Sequence, residues 1–135
     1  MKTIATILLI TCPAAWAGQE LKDPIKPLID ALCKVESNNN PKAVGDGGKA
    51  VGILQIWPIM VNDVNRILRK EVYVLGDRTD PVKSRKICRV YLNHYGKGKS
   101  FEYLARIWNG GPRGYKKECT VRYWKKVQKE LKCQP

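Results

Sequence analysis

The feature that most constrains the fold is a repeated helix punctuation. Proline stands at the opening of apolar-periodic segments, and glycine stands where they end. Asp23-Pro24, Pro58 and Asp80-Pro81 each put proline where a helix begins, the place where its missing N–H costs nothing and its fixed φ fits. The first segment carries Ile25, Leu28, Ile29, Leu32 and Cys33 on one stripe and ends near Ser37. The second turns Met60, Val61, Val64, Ile67 and Leu68 inward, and the third Cys88, Tyr91, Leu92 and Tyr95, until Gly96 stops it. Ser100 caps a fourth helix with Leu104, Ile107 and Trp108, ended by Gly110-Gly111-Pro112. Thr120 caps a fifth, with Val121, Trp124, Val127 and Leu131 on one side. Between the first two helices, residues 38–55 are rich in Asn and Gly and read as an ordered loop with room for a short hairpin, and residues 72–75 read as extended. The expected fold is mainly α, a compact single helical domain with little or no β-hairpin; 135 residues suffice for one modest core.

The N-terminus is read apart from that domain. Lys2, the apolar run Ile4–Ile10, Pro13 and the small-x-small triplet Ala15-Trp16-Ala17 have the layout of a secretory signal peptide, cut after Ala17. The run is too short for a transmembrane anchor. Residues 1–17 are therefore assigned to the signal and 18–135 to the working domain, secreted or periplasmic. Export gives the cysteines a meaning. Cys12 leaves with the signal, and Cys33, Cys88, Cys119 and Cys133 remain, an even set that reads as two disulfides. Three pairings are possible; Cys33–Cys88 with Cys119–Cys133 is preferred, the second stapling the last helix. With His94 as the lone histidine, no metal site is spelled out, and no cofactor is expected. The net charge of +13 favours an anionic partner without choosing among nucleic acid, acidic lipid and wall polymer.

One residue breaks the pattern. Around the first helix Glu36 falls within about 20° of Ile25 and Ile29, on the apolar stripe. A carboxyl carried there is desolvated, which raises its pKa. A carboxyl still protonated near neutral pH is what a glycosidic general acid requires.

Its surroundings add to this. Glu36-Ser37, the block Gly52-Ile53-Leu54-Gln55, the block Ile107-Trp108-Asn109-Gly110-Gly111, and Thr120-Val121-Arg122-Tyr123-Trp124 occur in that order. Together they resemble the soluble lytic transglycosylases and the related goose-type lysozymes, over roughly residues 28–128. The resemblance implies a lysozyme-like α+β fold and an enzyme that cleaves peptidoglycan between N-acetylmuramic acid and N-acetylglucosamine. It implies that Glu36 protonates the glycosidic oxygen. Ser37 would orient substrate, Gln55 would hydrogen-bond sugar or peptide, and Asn109 would bind near the cleaved sugar. Tyr123 would hold the Glu36 rotamer. Trp108 stands where the family has tyrosine and would offer a stacking platform without the phenol. Asp46, in Gly45-Asp46-Gly47-Gly48, occupies a Gly-Asp-x-Gly position at which goose-type lysozymes carry a carboxylate, and a second acidic position of theirs is Trp57 here.

Two chemistries stay open. A lytic transglycosylase uses one Glu as acid and then base and leaves a 1,6-anhydro product; a lysozyme places water with a second carboxylate, for which Asp46 is the candidate. The carboxylate count favours the first. A third reading is a non-catalytic basic wall-binding protein. The expected partners are peptidoglycan glycan strands and anionic wall polymers, met by a monomer with no specific nucleic acid and no transmembrane anchor.

Overall fold

The computed structural model describes residues 23–135. The signal-peptide reading of residues 1–17 lies outside that range. The described residues form five α-helices: α1 (Lys26–Ser37), α2 (Pro58–Leu68), α3 (Pro81–Gly96), α4 (Phe101–Gly110) and α5 (Cys119–Lys132). A two-stranded antiparallel hairpin, β1 (Val44–Gly45) and β2 (Ala50–Val51), pairs Val44 with Val51 and Gly45 with Ala50. The domain is mainly helical, and the loop between α1 and α2 does contain a small hairpin. Among the described residues no helix is long and apolar enough to cross a membrane.

The helix signals act much as their chemistry dictates. The Asp80 carboxylate accepts from the backbone N–H of Val82 at 2.8 Å and of Lys83 at 3.0 Å, directly before Pro81. The Ser100 hydroxyl accepts from the Tyr103 N–H at 3.2 Å. Asn38, in the left-handed conformation, closes α1. Two starts differ from expectation. Asp23 accepts the Ile25 N–H at 3.2 Å, but regular helix begins only at Lys26. Thr120 lies inside α5 and does not cap it. Its side chain is fully buried and turned backward, sharing its hydroxyl proton between the carbonyls of Gly114 (2.8 Å) and Lys117 (2.7 Å) while accepting from Arg106 Nε at 2.9 Å. Thr120 and Arg106 thereby fix the loop from α4 into α5.

The core gathers Leu28, Ile29 and Leu32 of α1, Val61 and Val64 of α2, Ile87 and Leu92 of α3, Leu104 and Ile107 of α4, and Val127 of α5, with Ile53, Leu54 and Ile56 from the segment after the hairpin. Helix α5 packs on both α1 and α4, and α3 on α2 and α4. The segment expected to be extended, Val72 to Leu75, leads into a 3₁₀ turn at Leu75–Thr79 and forms no strand. The side chain of buried Asn65 claims its backbone: Asn65 Oδ1 accepts from the N–H groups of Val72 (3.1 Å) and Tyr73 (3.0 Å), and Asn65 Nδ2 donates to the Tyr73 carbonyl at 2.8 Å.

The two expected disulfides are not formed. Cys33 and Cys88 are buried free thiols, and Cys119 and Cys133 are exposed free thiols. The staple Cys119–Cys133 is excluded by geometry. One residue opens α5 and the other caps its end, so helical rise alone separates them by about 21 Å, whereas a bridge needs Cα atoms within about 7 Å. Cys33 and Cys88 pack in the core as small apolar side chains; burial pushes the Cys33 thiol up to about 11.

Candidate active site

Glu36 sits in the last turn of α1, where the apolar stripe runs out under α5. Its carboxyl lines a cleft of roughly 370 Å³ together with Asp46, Gln55, Trp57, Trp108 and Asn109. The cleft wall is completed by Ile59, Met60 and Gly111. The Tyr123 hydroxyl, from α5, donates to Glu36 Oε1 at 2.6 Å. Burial raises the Glu36 carboxyl above the usual carboxylate range; hydrogen bonding from Tyr123 and from the Trp108 indole draws it back, the Asp46 charge raises it, and the Lys126 charge lowers it. Desolvation is the largest of these causes, so the site favours the protonated form of Glu36 more than water does. Tyr123 is itself held far toward its neutral form, first by burial and then by the Glu36 charge. It therefore stays a donor.

The hairpin side of the cleft is shaped by left-handed backbone. Asp46 (φ 49°) and Gln55 (φ 48°) both adopt it without being glycine, a conformation that costs energy and is retained where the surroundings over-determine it. For Gln55 those surroundings are visible. Its amide nitrogen donates to the carbonyls of Ala43 (3.2 Å) and Gly52 (3.0 Å). Gly52, at φ 83°, lies so close to the Arg78 carbonyl that a Cβ could not be added. Gly45 leaves room for the Gln55 carbonyl oxygen, which would sit 2.5 Å from a Cβ placed there. The Arg78 guanidinium donates to the carbonyls of Lys49 (3.0 Å) and Ile56 (3.1 Å), fastening the hairpin from the far side.

The residues singled out in the sequence occupy different depths. Glu36, Asp46, Gln55, Trp108 and Asn109 meet in the cleft, and Tyr123 reaches it through Glu36. Ser37 is turned away into the scaffold: its hydroxyl contacts the Ile53 carbonyl at 2.9 Å and accepts the Asn40 N–H at 3.1 Å, tying the end of α1 to the hairpin segment. Trp108 is only 5% exposed and sets its ring edge-on against Tyr91 at 5.8 Å, so it presents little face to the cleft. Trp57 was noted in the sequence only as a missing acid, yet it is 39% exposed on the cleft wall, and its indole N–H donates to Asp46 Oδ2 at 3.2 Å. Ile59 was missed, although an isoleucine off the apolar stripe of α2 was a signal; it is 73% exposed. Met60, read as core, also lines the cleft.

Two other concavities are larger, one over the start of α5 (Glu118, Cys119, Val121, Arg122, Lys125) and one between α1 and the C-terminal residues. Neither contains a buried acid with a hydroxyl donor against it, and chemistry, not size, selects the Glu36 cleft. Among the described residues no group of His, Cys, Asp and Glu side chains is gathered as a metal site. His94 is exposed, edge-on to Tyr95 at 4.6 Å.

The model of the transglycosylase SLT domain matches residues 15–131. The chain belongs to that family. A curated lysozyme of Magallana gigas is 41% identical over 46 residues, 34% of the length of each protein; the chain thus spans about a third of that relative. The SLT domain accounts for the order of the four sequence blocks, because it is the fold that brings the end of α1, the hairpin segment, the end of α4 and the start of α5 around one cleft.

Proposed function

We propose that this SLT domain is a peptidoglycan-cleaving enzyme with Glu36 as its general acid. The observation that supports this most is the partly buried Glu36 carboxyl, its pKa raised by desolvation and its rotamer fixed by Tyr123, lining a cleft. Glu36 delivers its proton to the glycosidic oxygen as the bond to the anomeric carbon of N-acetylmuramic acid breaks. The substrate's own N-acetyl oxygen supports that carbon. The Glu36 carboxylate then takes the proton of the sugar's 6-hydroxyl, whose oxygen closes on the anomeric carbon. The product carries a 1,6-anhydro ring, no water is consumed, and Glu36 is protonated again. Tyr123 positions the carboxyl through both steps. Asn109 and the Gln55 carbonyl hydrogen-bond the glycan, and Ser37 acts on substrate only indirectly, by holding the hairpin.

The reading as a lytic transglycosylase draws support from the cleft lining, where Asp46 is the second carboxylate and its Oδ2 is engaged by Trp57. The alternative is a hydrolase in which Asp46 positions water. It is favoured by Asp46 standing in the same cleft and acting electrostatically on Glu36. Mass spectrometry of the products separates the two: 1,6-anhydro ends for the transglycosylase, reducing ends for the hydrolase. We further propose that the protein is exported by its N-terminal signal, works as a monomer without cofactor, and is drawn to anionic wall polymer by the excess of Lys and Arg that remains after cleavage.

A further inference from the structure

Trp57 and its contacts remain outside the chemistry above. A tryptophan left 39% exposed at the start of a helix is a large apolar surface in water, and this one lies on the cleft wall beside Ile59 and Met60. It is also held in place. Its indole N–H donates to Asp46 Oδ2 at 3.2 Å, and the Lys49 ammonium lies 5.4 Å from the ring centroid. Both partners come from the hairpin, and Asp46 adopts its left-handed conformation there. Pro58 directly after Trp57 fixes the backbone entering α2. An indole tied at its edge, with a cation over one face, has one face left for a ligand.

We propose that Trp57 is a sugar-stacking platform of the cleft, taking the apolar face of a pyranose ring of the glycan strand, and that Asp46 is a positioning residue that holds it. The inference rests on the glycan-cleaving reading. Trp108 does not compete for this role, since its ring is buried against Tyr91. The exposed face of Trp57 gives shape and apolar area, which suits a ring whose axial hydrogens form an apolar patch. Asp46 contributes by fixing the ring's tilt, so that binding does not have to order it. The position at which a lysozyme-like site could carry a second acid is thereby given to binding, and the remaining acid of the pair is engaged in support of it.

The test uses the Glu36→Gln protein, in which binding is measured without turnover, and a purified uncrosslinked peptidoglycan tetrasaccharide as ligand, by calorimetry. Trp57→Ala in that background is expected to weaken binding by about 10-fold or more, the loss of a stacked ring. Asp46→Ala is expected to weaken it by several-fold, and Asp46→Asn, whose amide oxygen still accepts the indole N–H, to restore most of that loss. In the otherwise wild-type enzyme Trp57→Phe is expected to raise KM with kcat largely kept. Circular dichroism of each variant confirms its fold. Unchanged affinity in folded Trp57→Ala overturns the platform while leaving the glycan reading intact. Failure of Asp46→Asn to restore what Asp46→Ala loses overturns the positioning role. Absence of any tetrasaccharide binding by the Glu36→Gln protein overturns the proposal together with the glycan reading.

Discussion

The Tyr123 hydroxyl and the Glu36 carboxyl meet at 2.6 Å across 87 residues of sequence, joining α5 to the end of α1 at the base of the cleft. This bond has two consequences of opposite direction. It fixes the carboxyl in one rotamer, as the proposed proton transfers require. It also stabilises the carboxylate and so opposes the desolvation that raises the Glu36 pKa.

The pH dependence follows from that opposition. With Glu36 as the proposed acid, activity should hold at low pH and fall as pH rises through its raised pKa. Tyr123→Phe removes a donor to the carboxylate, and the alkaline limb of kcat/KM should move to higher pH. The rate on the acid plateau should fall about 10- to 100-fold from lost positioning. A rate loss with no movement of the limb would leave Tyr123 a packing role only. The same shift appears in stability. A carboxyl whose folded pKa lies above its unfolded value costs nothing below the unfolded value, and the cost grows as pH rises through the interval to the folded pKa. Glu36→Gln should therefore melt increasingly above wild type as pH is raised through that interval, and match it in acid.

The cysteines give a prediction that reverses the sequence expectation. In the native protein a maleimide should label exposed Cys119 and Cys133 rapidly. Buried Cys33 and Cys88 should label only on unfolding. Reductant should not lower the melting temperature. A Cys119–Cys133 crosslink found by peptide mapping would require α5 to be unfolded over its whole length.

How much of this was legible in the sequence depended on the range of the interactions. The helices were readable because their signals are local: Asp80 and Ser100 cap within three residues. Thr120 carried the same local signal and was misread, because tertiary partners, Arg106 and the Gly114 carbonyl, claimed its hydroxyl. Asn65 carried no local signal, yet its side chain organises the loop after α2. In the site, Glu36 stood out because a charge on an apolar stripe is an inconsistency visible at helical period. Trp57 did not, since an aromatic before a proline is indistinguishable from core until the fold shows which of the two tryptophans, Trp57 or Trp108, is covered. The Cys119–Cys133 staple failed because an even cysteine count says nothing about reach along one helix; Cys33 and Cys88, on α1 and α3, stand as free buried thiols.

Charge and chemistry are less separable than sequence distance suggests. The lysines of α5 lie far from Glu36 along the chain, but α5 packs on α1, and the Lys126 charge lowers the Glu36 pKa. Reversing Lys125 and Lys129 to Glu should weaken sedimentation with cell walls in the manner of added salt, which screens such attraction over about 8 Å at physiological strength. Lys126→Glu should in addition move the alkaline limb of activity to higher pH. Identical pH profiles for Lys126→Glu and wild type would remove Lys126 from the electrostatics of the site.

The central claim is that one carboxyl, Glu36, performs the proton transfers on peptidoglycan. The most direct measurement is release of soluble fragments from purified peptidoglycan by wild type and by Glu36→Gln, with the fold of each checked by circular dichroism. The amide is nearly isosteric and can still accept the Tyr123 bond, but it has no proton to deliver. Wild type should release fragments bearing 1,6-anhydro ends, and folded Glu36→Gln should release none above background. Fragment release by Glu36→Gln at the wild-type rate would contradict the account.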